Sequence, residues 1–166
     1  VNSNLLYDYG DVSMYINGIL DGTLPSNNCT ELTGDDQIDL EDPVWLNDCI
    51  LVENNTDGHT SHAHSCQLPT IGIDNPNQSV SLSLVGHNEE EQYVTVALQN
   101  PGAEIVATHL SLSGAVVSNV ELVTPDDNLD AEVFYRPDGQ IIVFSYGFDS
   151  PTRFNNFEPF LRVSYS

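Results

Sequence analysis

The sequence contains no lysine, and its three basic residues are Arg136, Arg153 and Arg162. Against them stand 25 aspartate and glutamate residues, so the formal net charge is −22. A protein without a cationic surface does not displace the counterions of nucleic acid or bind an anionic membrane, which excludes both as partners. Such an acidic surface attracts cations instead, although a solvated acidic coat explains the same excess of charge.

Long apolar runs and recognisable catalytic motifs are also missing. No stretch approaches the roughly 18 consecutive apolar residues of a membrane span, and no basic-then-apolar leader begins the chain, so we expect a mature, soluble protein. There is no GxSxG, HExxH or glycine-rich phosphate loop, and the lack of lysine excludes Schiff-base chemistry. Acidic pairs are too numerous for a glycosidase dyad to stand out. We therefore expect a protein that is not an enzyme.

Cysteine is scarce, and no CxxC pair occurs, which argues against a structural zinc site. The three residues Cys29, Cys49 and Cys66 all precede residue 67. One disulfide with a remaining thiol, or a link to another chain, fits an oxidising compartment, and we expect an extracellular or cell-surface location. The sequence leaves the pairing open.

Three N-glycosylation sequons are present, a number that chance alone would produce in a chain this rich in Asn, Ser and Thr. All three lie in stretches that we interpret as loops. Their acceptor residues are Asn28, Asn54 and Asn77.

The first fifty residues contain a repeat with an offset of 31 positions. In each copy, oxygen-bearing side chains alternate along a short loop and are followed by an apolar stripe with helical spacing. Asp39 and Asp42 repeat Asp8 and Asp11, and Ile50 and Leu51 repeat Ile19 and Leu20. The first stripe is Val12, Tyr15, Ile16 and Ile19; the second is Val44, Leu46 or Trp45, Ile50 and Leu51.

This repeated pattern suits calcium, which takes six to eight oxygens from loop positions 1, 3, 5, 7, 9 and 12, with a backbone carbonyl at position 7. The alternative is that the aspartates only cap two helices, at about 1 kcal/mol each. The candidate ligands of the first loop are Asn2, Asn4, the carbonyl of Leu6, Asp8 and Asp11; those of the second are Glu31, Thr33, Asp35, the carbonyl of Gln37, Asp39 and Asp42.

The two copies resemble the duplicated loop-helix segments of dockerin modules. The resemblance covers residues 1–52, and DVSMYINGIL (residues 11–20) is its most specific piece. It implies that Ca²⁺ bound in at least one of the loops holds a pair of helices as a docking module for a cohesin-type receptor. The chain departs from the family at position 6, usually glycine, where it has Leu5 and Asp36.

Residues 53–78 are rich in Asn, Thr, Ser, Gly and Pro and have no sustained period, which is typical of a linker. Within them, His59, His62 and His64 with Cys66 could bind zinc or copper, because imidazole and thiolate suit those metals. The other interpretation is a solvated, glycan-flanked loop, since no helix fixes their spacing. A weak hypothesis of a metal-dependent hydrolase depends on this cluster.

From residue 79 the apolar period becomes two, which indicates strands. Val80, Leu82 and Leu84 share one face of the first strand, and Val94, Val96 and Leu98 share one face of the second. The Pro-Asp-Gly between AEVFY and IIVFSYG predicts a hairpin. Six or seven short strands favour an antiparallel β-sandwich over residues 79–166. Edge strands such as residues 79–85 or 160–166 could pair across chains.

The order of these segments, from VTVALQNPGAEIVATHLSLSG to the terminal FLRVSYS, resembles a cohesin-type sandwich. A carbohydrate-binding sandwich is the rival within the fold, and it would present aromatics such as Tyr135 or Tyr146 on one face.

We therefore predict an α+β protein with a dockerin-like helical module (1–52), a linker (53–78) and a cohesin-like β-sandwich (79–166). The two resemblances together suggest an extracellular, calcium-stabilised structural protein whose copies associate head to tail into a filament or surface appendage. Its partners would be copies of itself or a cohesin- or dockerin-type protein, and glycans are a further option. The alternative is a carbohydrate-binding, adhesive or scaffold-anchoring module of a polysaccharide-degrading complex.

Overall fold

The computed structural model describes residues 8–25, 30–55, 81–99, 106–123, 131–146 and 158–166. The chain divides into two compact units, Val1–Gly72 and Ile73–Ser166. The described residues form two helices in the first unit and seven antiparallel strands in the second, which is an α+β organisation. Neither described helix is long and apolar enough to cross a membrane.

The described residues of the first unit include the helices α1 (Tyr9–Asp21) and α2 (Glu41–Asn55), which pack against each other. α1 ends at Asp21, and the positive φ of 61° at the following Gly22 lets the chain leave the helix. The N–H of Gly22 donates to the carbonyl of Ile19 at 3.1 Å, and that of Thr23 donates to the carbonyl of Gly18 at 3.0 Å. These bonds satisfy carbonyls that have no partner within the helix.

Burial in the two helices follows the 31-residue repeat. Along α1, burial recurs every three to four residues and marks the face turned toward α2. The stripe predicted for α1 is right except at Ile19, which is only partly buried, while Leu20 is buried in its place. The equivalent buried pairs are Asp11 and Asp42, Val12 and Pro43, Tyr15 and Leu46, Ile16 and Asn47, and Gly18 and Cys49.

The end of α2 differs from the sequence prediction. The helix continues to Asn55, so residues 53–55 are helical and do not belong to a linker. The sequon at Asn54 therefore lies in the last helical turn and not in a loop, whereas Asn28 and Asn77 lie outside the described residues. The prediction failed because Asn-rich sequence has a weak helix propensity, which tertiary packing readily overrides.

The described residues of the second unit form two antiparallel sheets. One has four strands in the order β1-β2-β7-β4, and the other has three in the order β3-β6-β5. Their strands are β1 (Ser81–Asn88), β2 (Tyr93–Gln99), β3 (Ala107–Ser111), β4 (Val117–Leu122), β5 (Ala131–Tyr135), β6 (Gln140–Ser145) and β7 (Glu158–Tyr165).

A cluster of buried side chains among the described residues draws on both sheets. Val94 and Val96 pack against it and Leu98 is part of it, which confirms the face predicted for the second strand. The buried members of the cluster are Leu98, Val117, Val120, Ile141, Val143, Phe160, Leu161 and Val163.

The hairpin predicted at Pro-Asp-Gly joins β5 to β6. Gly139 adopts a φ of +91°, and its N–H donates to the carbonyl of Arg136 at 3.0 Å. Its own carbonyl accepts the N–H of Leu112 at 2.9 Å, which ties the turn to the segment after β3. A side chain at this position would collide with that segment, because a Cβ would lie 1.8 Å from the carbonyl oxygen of Leu112.

Candidate metal centre

The first predicted loop ends at α1. Asp8 is extended, with φ −142° and ψ 173°, and the helix begins at the next residue. The buried carboxylate of Asp11 accepts the N–H of Asp8 at 3.2 Å, which is the return bond of a capping box. The remaining candidates in this loop, Asn2, Asn4 and Leu6, lie outside the described residues.

The second loop repeats this arrangement 31 residues later. The carboxylate of Asp42 accepts the N–H of Asp39 at 3.0 Å, as that of Asp11 accepts the N–H of Asp8. The carboxylate of Asp39 in turn accepts the N–H of Glu41 at 2.8 Å. The repeat in the sequence is therefore also a repeat in hydrogen bonding, and all four aspartates stabilise helix starts.

Candidate ligands at positions 1, 3 and 5 of the second loop converge. The hydroxyl of Thr33 lies 3.2 Å from an oxygen of Glu31 and 3.2 Å from an oxygen of Asp35. The same oxygen of Glu31 accepts the N–H of Gly34 at 2.5 Å and that of Asp35 at 3.2 Å. Asp35 also accepts the N–H of Gln37 at 2.9 Å. These bonds curl the backbone around the three side-chain oxygens.

The backbone turns in the left-handed conformation at position 6 of the second loop. Calcium loops place glycine there to allow a sharp turn. In this chain Asp36 occupies the position with a φ of +65°, in the left-handed region that aspartate tolerates better than most residues. Asp36 thus replaces the usual glycine, and the backbone at this position still has a positive φ.

Asp42, at position 12, is the most enclosed carboxylate of the loop, with no exposed surface. Besides the N–H of Asp39, it accepts the N–H of Leu32 at 2.7 Å. Burial raises the pKa of its carboxyl group, and the backbone hydrogen bonds lower the pKa by less. Burial therefore disfavours the ionised form of Asp42 more than the neighbouring backbone N–H groups favour it.

Tyr15 of α1 reaches the second loop from the other helix. Its hydroxyl is buried and lies beside the carboxylate of Asp42. Among the described residues, no group lies in hydrogen-bond geometry with this hydroxyl. Burial and then the negative charge of Asp42 raise the pKa of Tyr15. Sequence reasoning assigned Tyr15 only to the apolar stripe, since nothing local indicated that its hydroxyl would face a loop that follows the helix.

The donor set of the second loop suits calcium by chemistry, since every candidate atom is an oxygen. Among the described residues, however, no three His, Cys, Asp or Glu side chains are gathered at metal-binding distances. In this structure the carboxylates are turned toward backbone N–H groups. Glu31, Thr33, Asp35, Asp39, Asp42 and the carbonyl of Gln37 would hold the ion.

The other candidate sites contribute less. Cys49 is buried and disulfide-bonded, while Cys29 and Cys66 lie outside the described residues. The cluster of His59, His62 and His64 is outside them as well.

The aromatic residues named for a carbohydrate platform do not behave alike. Tyr135 is 37% exposed, and its hydroxyl donates to the carbonyl of Ser118 at 3.3 Å. Tyr146 is 9% exposed and donates to Glu132 at 2.9 Å. Because only one of the two rings is accessible, they do not form a shared stacking surface.

Comparisons with protein-family models, with curated proteins and with solved structures find no match for this chain.

Proposed function

We propose that this protein is a non-enzymatic, calcium-stabilised structural subunit that acts outside the cell. In this proposal the dockerin-like unit of residues 1–52 binds Ca²⁺ and docks on the cohesin-like β-sandwich of the next copy. Such a contact joins different surfaces and does not close on itself, so it builds a filament or surface appendage.

The observation that carries the proposal is the conformation of residues 31–42. Side-chain oxygens of Glu31, Thr33 and Asp35 lie together, and Asp36 makes the left-handed turn of a calcium loop. The last ligand position, Asp42, is fully buried with a raised carboxyl pKa. A cation in this loop would offset the desolvated negative charge and hold the start of α2 in place beside Tyr15 of α1.

Two further observations support the location and the assembly. The disulfide at Cys49 suits an oxidising compartment, because disulfides persist mainly in extracellular proteins. On α1, Met14 is 53% exposed although the opposite face of the helix is buried. An exposed methionine on a helix is an adaptable apolar contact of the kind that binding surfaces use.

Light scattering and electron microscopy of the full chain in calcium and in chelator test the proposal. Calcium should produce long polymers that shorten when chelator is added. Met14→Glu should shorten the polymers in calcium while the thermal stability gained from calcium stays that of the wild type. Monomers in both solutions would refute the assembly, and identical thermal stability in both would refute the calcium site.

A further inference from the structure

The strand β1 (Ser81–Asn88) forms one edge of the four-stranded sheet, and within the described residues it pairs only with β2. The backbone N–H and C=O groups along its outer side are consequently left for another strand. The C-terminal strand β7, the other candidate for pairing across chains, lies between β2 and β4 and has no open edge. The structure therefore singles out β1.

Apolar side chains are concentrated on this edge. Three of the seven large hydrophobic residues that are exposed among the described residues lie on β1: Leu82 at 47%, Leu84 at 63% and Val85 at 49%. Leu82 pairs with the fully buried Leu98, and Leu84 pairs with Val96. Directly paired residues point to the same side of a sheet, so both leucines lie on the core side but remain uncovered.

A difference in width explains why these leucines are uncovered. The opposing sheet has three strands and the sheet of β1 has four. Among the described elements β1 packs closely only on β2, so it extends the apolar face of its sheet beyond the strands that face it. Natural edge strands usually avoid this arrangement with inward-pointing charges or prolines, and β1 has neither.

Charge decides which edge a second copy can approach. Each copy carries a net charge of −22, so two copies repel each other, and the repulsion is least where both present an uncharged surface. Residues 81–88 contain no charged side chain, whereas the edge strands β4 and β5 contain Glu121 and Glu132. The remaining edge strand, β3, is also uncharged, but it has no exposed large hydrophobic residue. β1 is therefore the edge on which a second copy meets the least repulsion and finds the most apolar surface.

Charge also selects the direction of pairing. The turn that follows β1 carries Glu89, Glu90 and Glu91, all exposed. Parallel pairing would place the two acidic turns side by side, whereas antiparallel pairing separates them by the length of the strand. Centred on Ser83, an antiparallel pair sets Leu82 of one copy opposite Leu84 of the second copy, and the reverse.

We propose that β1 is a self-pairing edge: two copies of this chain join β1 to β1, antiparallel about a two-fold axis, into one continuous eight-stranded sheet. The contact uses the same surface on both copies, so it closes as a dimer. It is separate from the head-to-tail contact proposed above and does not require calcium. Combined with that contact, it would cross-link two filaments side by side.

Analytical ultracentrifugation of the full chain in chelator, over a range of protein concentrations, tests this proposal. The wild type should form dimers, more tightly as salt screens the repulsion between copies. Leu84→Asp should weaken the dimer by on the order of 100-fold, because each substitution occurs twice at the interface. Val116→Asp, at an exposed apolar residue outside β1, is the matched control and should dimerise as the wild type does.

Hydrogen exchange on the wild type removes any dependence on variants that fold poorly. Amides of residues 81–88 should gain protection as the protein concentration rises. A monomeric wild type at all concentrations, or dimers whose β1 amides exchange unchanged, would overturn the proposal. If chelator abolished all association, the β1 dimer would be refuted and the calcium-dependent polymer would not. Dimers in chelator without polymers in calcium would refute the polymer and support the β1 dimer.

Discussion

Replacing Asp42 with asparagine should separate the role of this carboxylate as a helix cap from its role as a cation ligand. The carboxylate accepts N–H bonds from Leu32 at 2.7 Å and from Asp39 at 3.0 Å. Asparagine retains one acceptor oxygen and presents an amide group to the second N–H, which costs about 1–3 kcal/mol. Asparagine is uncharged, so the substitution also removes the free-energy cost of burying the ionised carboxylate, which raises the pKa of Asp42. This gain offsets part of the loss. In chelator we therefore expect a loss of only about 1–2 kcal/mol in the free energy of unfolding.

In calcium the same substitution should cost more, because it also removes a charged ligand. A ligand at one hundred times its dissociation constant stabilises a folded protein by about 2.7 kcal/mol. The wild type should gain about this amount from calcium, whereas Asp42→Asn should gain little. Asp36→Asn is the matched control, since it removes one exposed charge from the same loop and asparagine tolerates the φ of +65°.

The assay is chemical denaturation followed by circular dichroism, with each variant measured in chelator and in saturating calcium. The decisive quantity is the calcium-dependent gain in unfolding free energy, so that a general loss of stability cancels. An equal gain for the wild type and Asp42→Asn would refute the assignment of Asp42 as a ligand. A loss of the gain in Asp36→Asn would show that net charge, and not the ligand position, controls binding.

Three further outcomes are expected. Gly139→Ala should lower the unfolding free energy by about 2–4 kcal/mol through the positive φ and the lost bond to Leu112. Gly114 has a φ of +94° and open space around it, so Gly114→Ala should show only the backbone penalty in the same denaturation assay. Because burial raises the carboxyl pKa of Asp42 and Asp48, the folded state binds protons more tightly than the unfolded chain; in chelator the melting temperature should therefore rise as the pH falls from 7 toward the ordinary carboxyl range near 4, and calcium should reverse that slope. Reduction of the disulfide at Cys49 should destabilise the fold by about 2–5 kcal/mol in thermal melts, with a flat response to reductant counting against a structural role.

Local features of this protein could be predicted because they depend on neighbouring residues. Helical spacing of apolar residues predicted the buried face of α1, and Pro-Asp-Gly predicted the hairpin of Gly139. The 31-residue offset predicted that Asp42 would repeat the position of Asp11, and both carboxylates accept the N–H three residues before them. Such bonds span a single turn, so the residue types specify them directly.

Contacts between distant segments could not be predicted in this way. Leu82 and Leu98 both follow an alternating pattern, yet Leu98 is fully buried and Leu82 is 47% exposed. The pattern identifies one apolar face on each strand, but burial of that face depends on the width of the opposing sheet. The proposed site shows the same limit at Tyr15, where helical spacing indicated a core residue and tertiary packing set its hydroxyl beside Asp42.

The amino-acid sequence by itself determined the acidic character of this protein, the loop-helix repeat, the change from helical to strand period near residue 79 and the lack of known catalytic motifs. Each of these follows from composition or from contacts within a few residues. Only the tertiary structure decided that β7 lies inside its sheet while β1 forms an edge, and that Asp42 is the enclosed carboxylate of its loop. Strand order and burial depend on contacts between residues far apart in the chain, and no local pattern specifies which partner a strand or a side chain will meet.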